Sequence, residues 1–311
     1  MTTRILLFLF VLLTAVPALA QTPQGCEGLR SLPLANTVVT TAAVVSGSFT
    51  PPGSSNPNSA LGNLPSFCRV AATLKPTPDS EINTEIWLPM AGWNRRLQSV
   101  GNGAWAGVIP YPAMAAAVAG GYATAGTDTG HVGNTASFVP GHPERLVDYG
   151  HRAVHEMTVP AKATIRAFYG DAPRYSYWNG CSTGGRQGLM EAQRYPADYD
   201  GIIAGAPVNA RVHQMIWELW VAQAVHKTDA SYIPPEKYRL LNDAALAKCD
   251  ANDGAKDGLL ESPDRCRFEP STLQCKAGDG EDCLTASQVA AARRGYSAGK
   301  NAGGGLVFPG K

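Results

Sequence analysis

Charged residues are scarce in this chain. Lys, Arg, Asp and Glu make up 16% of its 311 residues, against about 25% in an average soluble domain. The 26 basic and 25 acidic residues leave a formal net charge of +1. This balance excludes a typical nucleic-acid-binding protein, whose basic side chains concentrate to neutralise phosphates. Because hydrophobic residues reach 44%, it also excludes a disordered chain, which combines low hydrophobicity with high net charge.

The sequence lacks a long apolar run after its first twenty residues. Ile5 to Val16 is almost wholly apolar, follows Arg4, and precedes the small-x-small cleavage site of residues 18–20. The run is shorter than the ~20 residues of a membrane span, and the pattern is typical of a secretory signal peptide. We expect residues 1–20 to be a signal peptide and the protein to be secreted or periplasmic, without a membrane attachment. A retained N-terminal anchor is the alternative.

Cysteines are few and odd in number, with seven in the chain. In an oxidising compartment they tend to pair. Proximity in the sequence favours three bridges: Cys26–Cys68, Cys249–Cys266 and Cys275–Cys283. Cys181 is then unpaired, which indicates a free thiol, an intermolecular bond or a partner outside the given chain.

Short strands alternate with helices over the first two thirds of the chain. The pattern predicts strands at Glu81–Leu88, Arg96–Val100, Tyr122–Gly126, Tyr175–Trp178 and Asp200–Gly205, and helices at Pro112–Gly120, Asp148–Tyr169 and Gly185–Tyr195. Such alternation predicts right-handed βαβ units around a mostly parallel sheet. We therefore predict an α/β fold, with a core at residues 21–212 and a cysteine-rich second region at residues 213–311.

The sharpest chemical motif is Gly-Cys-Ser-Thr-Gly at residues 180–184. It matches G-x-S-x-G, the nucleophile elbow, in which a strained strand-to-helix turn exposes a serine hydroxyl. A predicted strand precedes the motif and a predicted helix follows it, as the elbow requires. The N-terminus of that helix would direct N–H groups at an anion beside Ser182. A plain turn with a solvent-facing serine is the alternative.

A serine nucleophile also needs an oxyanion hole, a base and an orienting acid. The backbone N–H of Thr183 is one candidate oxyanion donor, and Gly103, in a glycine-rich segment after an earlier strand, is the other. In α/β-hydrolases the acid and the histidine follow the serine. His213 and His226 do follow it, but they lie in apolar helical surroundings without a preceding carboxylate strand. We interpret both as packed or surface residues.

Four histidines precede Ser182 and would break this chain order: His131, His142, His151 and His155. Asp128 and His131 form the rival candidate pair. Asp128 follows a predicted strand, where an aspartate ordinarily makes an Asx turn. We favour that structural role, so the sequence shows a nucleophile without its base.

Four segments together resemble the tannase/feruloyl esterase family, which includes mono(2-hydroxyethyl) terephthalate hydrolase. They are WNGCSTGGRQG at 178–188, DGIIAGAP at 200–207, SVGNG at 99–103 and TDTGH at 127–131. The resemblance implies a secreted α/β-hydrolase with a lid inserted into its core, of which residues 213–311 are a part. It also implies a bridge from Cys181 to a cysteine just after the catalytic histidine. That cysteine and the catalytic Asp and His are expected beyond residue 311.

A second candidate site lies in residues 249–259, CDANDGAKDGL. Three carboxylates between glycine turns suit a hard cation with six to eight oxygen ligands. An EF-hand is rejected, because its sixth position is alanine instead of glycine. The resemblance implies a structural Ca²⁺ loop with three carboxylates and two backbone carbonyls, from Asp250, Asp253, Asp257, Ala255 and Leu259. The alternative is a polar turn whose acids face water. No organic cofactor is expected.

The expected reaction is attack of Ser182 on an ester carbonyl. The N–H groups of Thr183 and Gly103 would hold the tetrahedral anion, and water would release the acid from an acyl-enzyme. The resemblance implies small or plant-polymer-linked aromatic esters, such as feruloyl or galloyl conjugates, as substrates. Three alternatives remain. They are a catalytically incomplete fragment, a non-catalytic, calcium-stabilised secreted module that binds phenolic or polysaccharide ligands, and a serine peptidase on the same scaffold.

Overall fold

The computed structural model describes residues 24–54, 56–105 and 107–310. The expected signal peptide, residues 1–20, lies outside the described residues. The chain divides into two compact units, Met1–Asn209 and Ala210–Lys311; the sequence placed this boundary after residue 212. Within the described ranges, no helix is both long and apolar enough to cross a bilayer.

Over the described residues, the first unit is built on a seven-stranded sheet in the spatial order β1-β2-β3-β5-β4-β6-β7. The strands are β1 (Thr37–Phe49), β2 (Leu61–Leu74), β3 (Ile82–Pro89), β4 (Arg96–Val100), β5 (Ala123–Thr127), β6 (Tyr175–Cys181) and β7 (Gly201–Gly205). Neighbours among β5, β4, β6 and β7 are parallel, whereas β1, β2, β3 and β5 pair antiparallel. The α/β fold is confirmed, and its parallel half carries the candidate site.

The helices of this unit are α1 (Tyr111–Ala119), α2 (Pro143–Val147), α3 (Ala153–Tyr169) and α4 (Thr183–Arg194). The predicted helix from Asp148 begins as a π-helical turn, Asp148–Arg152, before α3. Apolar residues of α3 recur every three or four positions, and its buried Met157 and Ile165 pack in one cluster with Trp178 of β6. Burying a large apolar side chain contributes about 1.5–3 kcal/mol, so this cluster anchors β6, the strand that leads to Ser182.

The second unit contains helices α5 (Arg211–Val225), α6 (Pro235–Cys249) and α7 (Ala286–Tyr296), and a ribbon of β8 (Gly299–Lys300) and β9 (Leu306–Phe308). Its core gathers Val225, Ile233, Leu241, Leu284 and Val289. Short 3₁₀ helices occur in both units, at Glu27–Ser31, Pro57–Ser59, Ala136–Phe138, Asp229–Ser231, Asp250–Asp253, Pro263–Arg265 and Pro270–Leu273. The helical and turn-rich character expected for this region is therefore present.

Three disulfides close within the units: Cys26–Cys68, Cys249–Cys266 and Cys275–Cys283. These are the pairs that sequence proximity favoured. The first joins the segment before β1 to β2, and both of its cysteines are buried. The other two lie in the second unit. Cys181 is the free cysteine of the described residues.

Candidate active site

The parallel half of the sheet brings two glycine-rich segments to one edge. Strand β4 pairs with β6 from Arg96 opposite Tyr175 to Val100 opposite Asn179. The segment Gly101–Gly103 and the turn at residues 180–184 therefore leave neighbouring strands at the same carboxyl end. In open α/β sheets this edge is where ligands bind.

Ser182 holds a backbone conformation that L-residues rarely adopt, with φ 59° and ψ −118°. Such a conformation costs about 1–3 kcal/mol and persists only when its surroundings fix it. Three backbone hydrogen bonds do so. Ser182 N–H donates to the carbonyl of Gly205 at 3.0 Å, and its own carbonyl accepts from Arg186 N–H at 3.0 Å and Val208 N–H at 3.2 Å. The strain of a nucleophile elbow is therefore present at the predicted serine.

Glycines are required around the turn because three backbones meet there. A Cβ on Gly180 would lie 2.6 Å from the carbonyl carbon of Gly184, and a Cβ on Gly101 would lie 2.5 Å from the Cα of Gly184. A Cβ on Gly184 would lie 3.1 Å from the carbonyl oxygen of Asn102. Only residues without a side chain permit this approach, so the motif glycines pack the turn against the end of β4.

The Ser182 side chain is exposed. Ser182 is the N-cap of α4, yet its side chain makes no capping hydrogen bond, so its hydroxyl is not used to close the helix. Helix α4 begins at Thr183. The backbone N–H groups of its first turn have no intrahelical acceptor. These groups and the helix dipole favour an anion next to Ser182.

Gly103, the second predicted oxyanion donor, lies in the segment that follows β4. It is exposed, and open space of 4 Å surrounds the position that a Cβ would take. Gly101 N–H continues the ladder of β4 by donating to the carbonyl of Asn179 at 3.0 Å. The segment therefore leaves the sheet beside the Ser182 turn, with room for a small group over Gly103.

The four histidines of the first unit are each engaged with another partner. His142 and His155 lie 2.6 Å, through Nδ1, from carboxylate oxygens of Asp79 and Asp198. His151 Nδ1 lies 3.1 Å from the Tyr195 hydroxyl. His131 Nε2 lies 2.6 Å from the carbonyl oxygen of Trp105. In the second unit, His213 is on α5 and His226 is its C-cap.

Asp128 has the structural role that the sequence favoured. Its Oδ1 accepts the N–H of Gly130 at 2.8 Å, which forms the Asx turn, and the N–H of Asn83 at 2.9 Å. Its Oδ2 accepts the Asn83 side-chain amide at 2.8 Å. Burial raises the pKa of Asp128 to about 6, against these hydrogen bonds, which lower it. Both carboxylate oxygens of Asp128 are therefore used in hydrogen bonds to its own turn and to β3.

The three aspartates of the predicted Ca²⁺ loop accept backbone N–H groups of the loop itself. Asp250, Asp253 and Asp257 accept from Gly258 at 3.0 Å, Ala255 at 3.0 Å and Leu259 at 3.1 Å, respectively. Among the described residues, no group of three or more His, Cys, Asp or Glu side chains is placed to hold a metal ion. The all-oxygen donor chemistry fits a hard cation, and the calcium site stays a prediction.

Cys181 is exposed and lies directly before the strained serine. A Cβ on Gly205 would lie 2.5 Å from the Cys181 Sγ, so the glycine at the end of β7 leaves room for the thiol. The bridge that the resemblance implies for Cys181 stays a prediction.

Sequence reasoning missed a buried amide pair beneath the site. Gln187 on α4 donates its side-chain amide to Asn102 Oδ1 at 3.0 Å and accepts the Asn102 backbone N–H at 3.0 Å. The Asn102 side chain also donates to the carbonyls of Thr127 at 2.8 Å and Val108 at 2.9 Å. Both residues lie inside glycine-rich motifs. Their position next to those glycines is the signal that could have identified them.

Known proteins are similar to this chain in sequence and in structure. The model of the tannase and feruloyl esterase family matches residues 68–309. The chain is 41% identical over 290 residues to an uncharacterized esterase of Xanthomonas campestris, covering 92% of this chain and 50% of that protein. It is 37% identical over 246 residues to a probable feruloyl esterase B of Aspergillus clavatus, covering 78% of this chain and 47% of that protein.

Solved structures show the same likeness. Feruloyl esterase B from Aspergillus oryzae superposes with a TM-score of 0.82 at 31% sequence identity, covering 91% of this chain and 58% of that one. The chain spans about half the length of the curated relatives it matches.

Proposed function

The chain belongs to the tannase and feruloyl esterase family, and on that premise we propose that it carries the nucleophile of a secreted serine carboxylic-ester hydrolase. Its substrates are esters of aromatic acids. The observation that carries the proposal is Ser182 itself, exposed and strained between the parallel strand β6 and the helix α4.

In the proposed mechanism the Ser182 Oγ forms a bond to the ester carbonyl carbon, and its proton passes to a histidine base. The resulting oxyanion accepts hydrogen bonds from the Thr183 and Gly103 N–H groups. Collapse of this tetrahedral intermediate breaks the bond between the carbonyl carbon and the alcohol oxygen. The alcohol leaves with the proton that the histidine had accepted. Water then attacks the acyl-serine by the same route and releases the acid.

The base and its orienting acid are proposed to come from residues beyond residue 311. The engagement of all four histidines of the first unit with other partners supports this. The bridge from Cys181 to a cysteine next to that histidine belongs to the same proposal. It would tie the base to the residue directly before the nucleophile.

The proposed substrate class is supported by the relatives. The two feruloyl esterases named above are similar to this chain in sequence and in structure. Feruloyl or galloyl esters, free or linked to plant polymers, are the proposed substrates. Secretion is supported by three disulfides, since such bonds persist in oxidising compartments.

The test is hydrolysis of methyl ferulate by the protein from the complete gene. Wild type and Ser48→Ala, a control at an exposed serine on β1, are expected to turn over the ester, and Ser182→Ala to lose at least a thousandfold in kcat. Turnover of the matched amide at a comparable rate would favour a peptidase instead. Ligand binding without any ester turnover would contradict the proposal and favour a binding module.

We also propose that the loop at residues 250–259 binds Ca²⁺ in a structural role, with the carboxylates of Asp250, Asp253 and Asp257 as ligands. Its oxygen chemistry and glycine turns support this. After dialysis against a chelator, added Ca²⁺ but not Mg²⁺ is expected to raise the Tm of wild type and of the exposed-surface control Asp264→Asn. Asp253→Asn is expected to lose that rise. An unchanged Tm in wild type would contradict the proposal.

A further inference from the structure

Gly103 lies between two residues that are both fastened to α4, the helix that begins directly after the nucleophile. On its N-terminal side, Asn102 is held through backbone and side chain by Gln187, with both hydrogen bonds at 3.0 Å. On its C-terminal side, Ala104 is held by the side chain of Thr183. The loop of one predicted oxyanion donor is therefore attached to the helix of the other.

The carbonyl oxygen of Ala104 accepts two hydroxyl groups. Thr183 Oγ1 donates to it at 2.7 Å, and the Tyr149 hydroxyl donates at 2.9 Å. Ala104 has φ 49°, in the left-handed region, which a residue with a side chain adopts at a cost. Two donors on one carbonyl use both of its lone pairs and so fix the orientation of this strained peptide.

Tyr149 is itself held rigidly. It lies in the π-helical turn and is 6% exposed. Arg186 of α4 donates to the carbonyls of Tyr149 at 3.1 Å and Gly150 at 2.7 Å, and its guanidinium lies 4.9 Å from the centroid of the Tyr149 ring. The Trp105 ring stacks on the same tyrosine at 4.9 Å. These contacts fix the orientation of the Tyr149 ring, and with it the position of the hydroxyl that donates to the Ala104 carbonyl.

We propose that Tyr149 is a positioning residue that orients the oxyanion hole through the Ala104 carbonyl, which it shares with Thr183. The inference rests on the proposed function. Oxyanion donors accelerate a reaction only when they are aimed in advance at the developing charge, and small misplacements are costly in rate. The Ala104 carbonyl joins the two halves of the hole, because Thr183 supplies one donor N–H and follows the nucleophile, while Gly103 precedes Ala104.

Tyr149→Phe tests this, since it keeps the ring and removes only the hydroxyl. In the protein from the complete gene, kcat for methyl ferulate is expected to fall about tenfold with KM within about twofold, because the oxyanion exists only in the transition state. Affinity for an aryl boronic acid, which forms a tetrahedral adduct, is expected to fall in parallel. Tyr169→Phe is the matched control: it removes a tyrosine hydroxyl that donates to the Pro89 carbonyl at 2.8 Å, and should leave kcat unchanged.

Thr183→Val is the second variant, should Tyr149→Phe fold poorly. It is expected to lower kcat in the same way, with Thr183→Ser closer to wild type because the hydroxyl is kept. An unchanged kcat in folded Tyr149→Phe, or a loss expressed in KM alone, would overturn the positioning role. Failure of the proposed function is distinguishable, because then either wild type would not hydrolyse the ester at all or Ser182→Ala would hydrolyse it as wild type does.

Discussion

At the scale of the residue, the site depends on what four positions lack. Gly101, Gly180 and Gly184 have no side chains where three backbones meet, and Ser182 has no capping role for its hydroxyl. The motif made these features predictable at residues 180–184, since G-x-S-x-G encodes a close approach and an exposed serine, whereas Gly101 lies outside the motif. The contacts of Tyr149 and Gln187 were not predictable from the motif.

Gly180→Ala tests the packing of the turn. The new Cβ would lie 2.6 Å from backbone atoms of Gly184, and backbone cannot yield as a side-chain end can. We expect the free energy of unfolding to fall by about 1–3 kcal/mol, measured by urea denaturation. Gly62→Ala in β2 is the control, because nothing lies within 4 Å of its Cβ position. Equal stability of the two variants would contradict the close approach.

Glu191, on α4, is another residue whose environment has a measurable consequence. It is 1% exposed, and burial, with a smaller contribution from the charge of nearby Asp198, raises its pKa from 4.5 to about 8. Between these two values the folded protein keeps a proton that the unfolded chain has released. Its contribution to stability is therefore full below about pH 4.5 and is lost as the pH rises through 8.

Glu191→Gln is neutral at every pH, so its Tm is expected to fall several degrees less than that of wild type between pH 5 and pH 9. Asp128, whose pKa is also raised by burial, acts in the same direction in both proteins and cancels in the comparison. Glu27→Gln, at an exposed position, is expected to keep the wild-type slope. A wild-type slope in Glu191→Gln would show that this carboxyl is ionised in the fold.

At the scale of the element, the sequence predicted the strands and helices of the parallel half to within a few residues. One difference is at the site itself. Strand β6 runs on to Cys181, and α4 starts at Thr183, two residues before the predicted start at Gly185. Glycines have poor helix propensity, and here packing against β4 and β7 outweighs it.

Strands β1 and β2 were not predicted. Strand β1 is rich in Val and Thr, as strands are, but most of its side chains on both faces are exposed or half-buried. Its sequence therefore lacks the alternation that a half-buried strand shows. Strand β2 contains Pro65 and Gly62, which usually mark turns. Pairing of the two strands with each other, and the disulfide at Cys68, stabilise the strand conformation that the local sequence does not specify.

Removal of the Cys26–Cys68 bridge tests that contribution. The bridge closes 42 residues and Cys275–Cys283 closes 8. Chain entropy predicts a loss of about 4 kcal/mol for the first and about 2.5 kcal/mol for the second. The two losses are compared by urea denaturation of two double variants, Cys26→Ala/Cys68→Ala and Cys275→Ala/Cys283→Ala. A larger loss from the shorter loop would contradict this order.

At the scale of the whole molecule, the candidate nucleophile and the candidate oxyanion donors could be selected from the sequence because they lie within short motifs. The contacts that hold them could not, because they join distant positions. Asn102 and Gln187 are 85 residues apart, and Thr183 is 79 residues from Ala104. Which buried polar side chains meet is decided by the order of strands in the sheet, and that order is a property of the fold rather than of any local pattern.

The central claim is that Ser182 is the residue that becomes acylated. A fluorophosphonate probe, which reacts with activated serines, tests it directly in the protein from the complete gene, with the labelled peptide identified by mass spectrometry. The account predicts one adduct, on Ser182, that is lost in Ser182→Ala and kept in Ser48→Ala. An adduct on another residue, or labelling of Ser182→Ala at the wild-type rate, would contradict it.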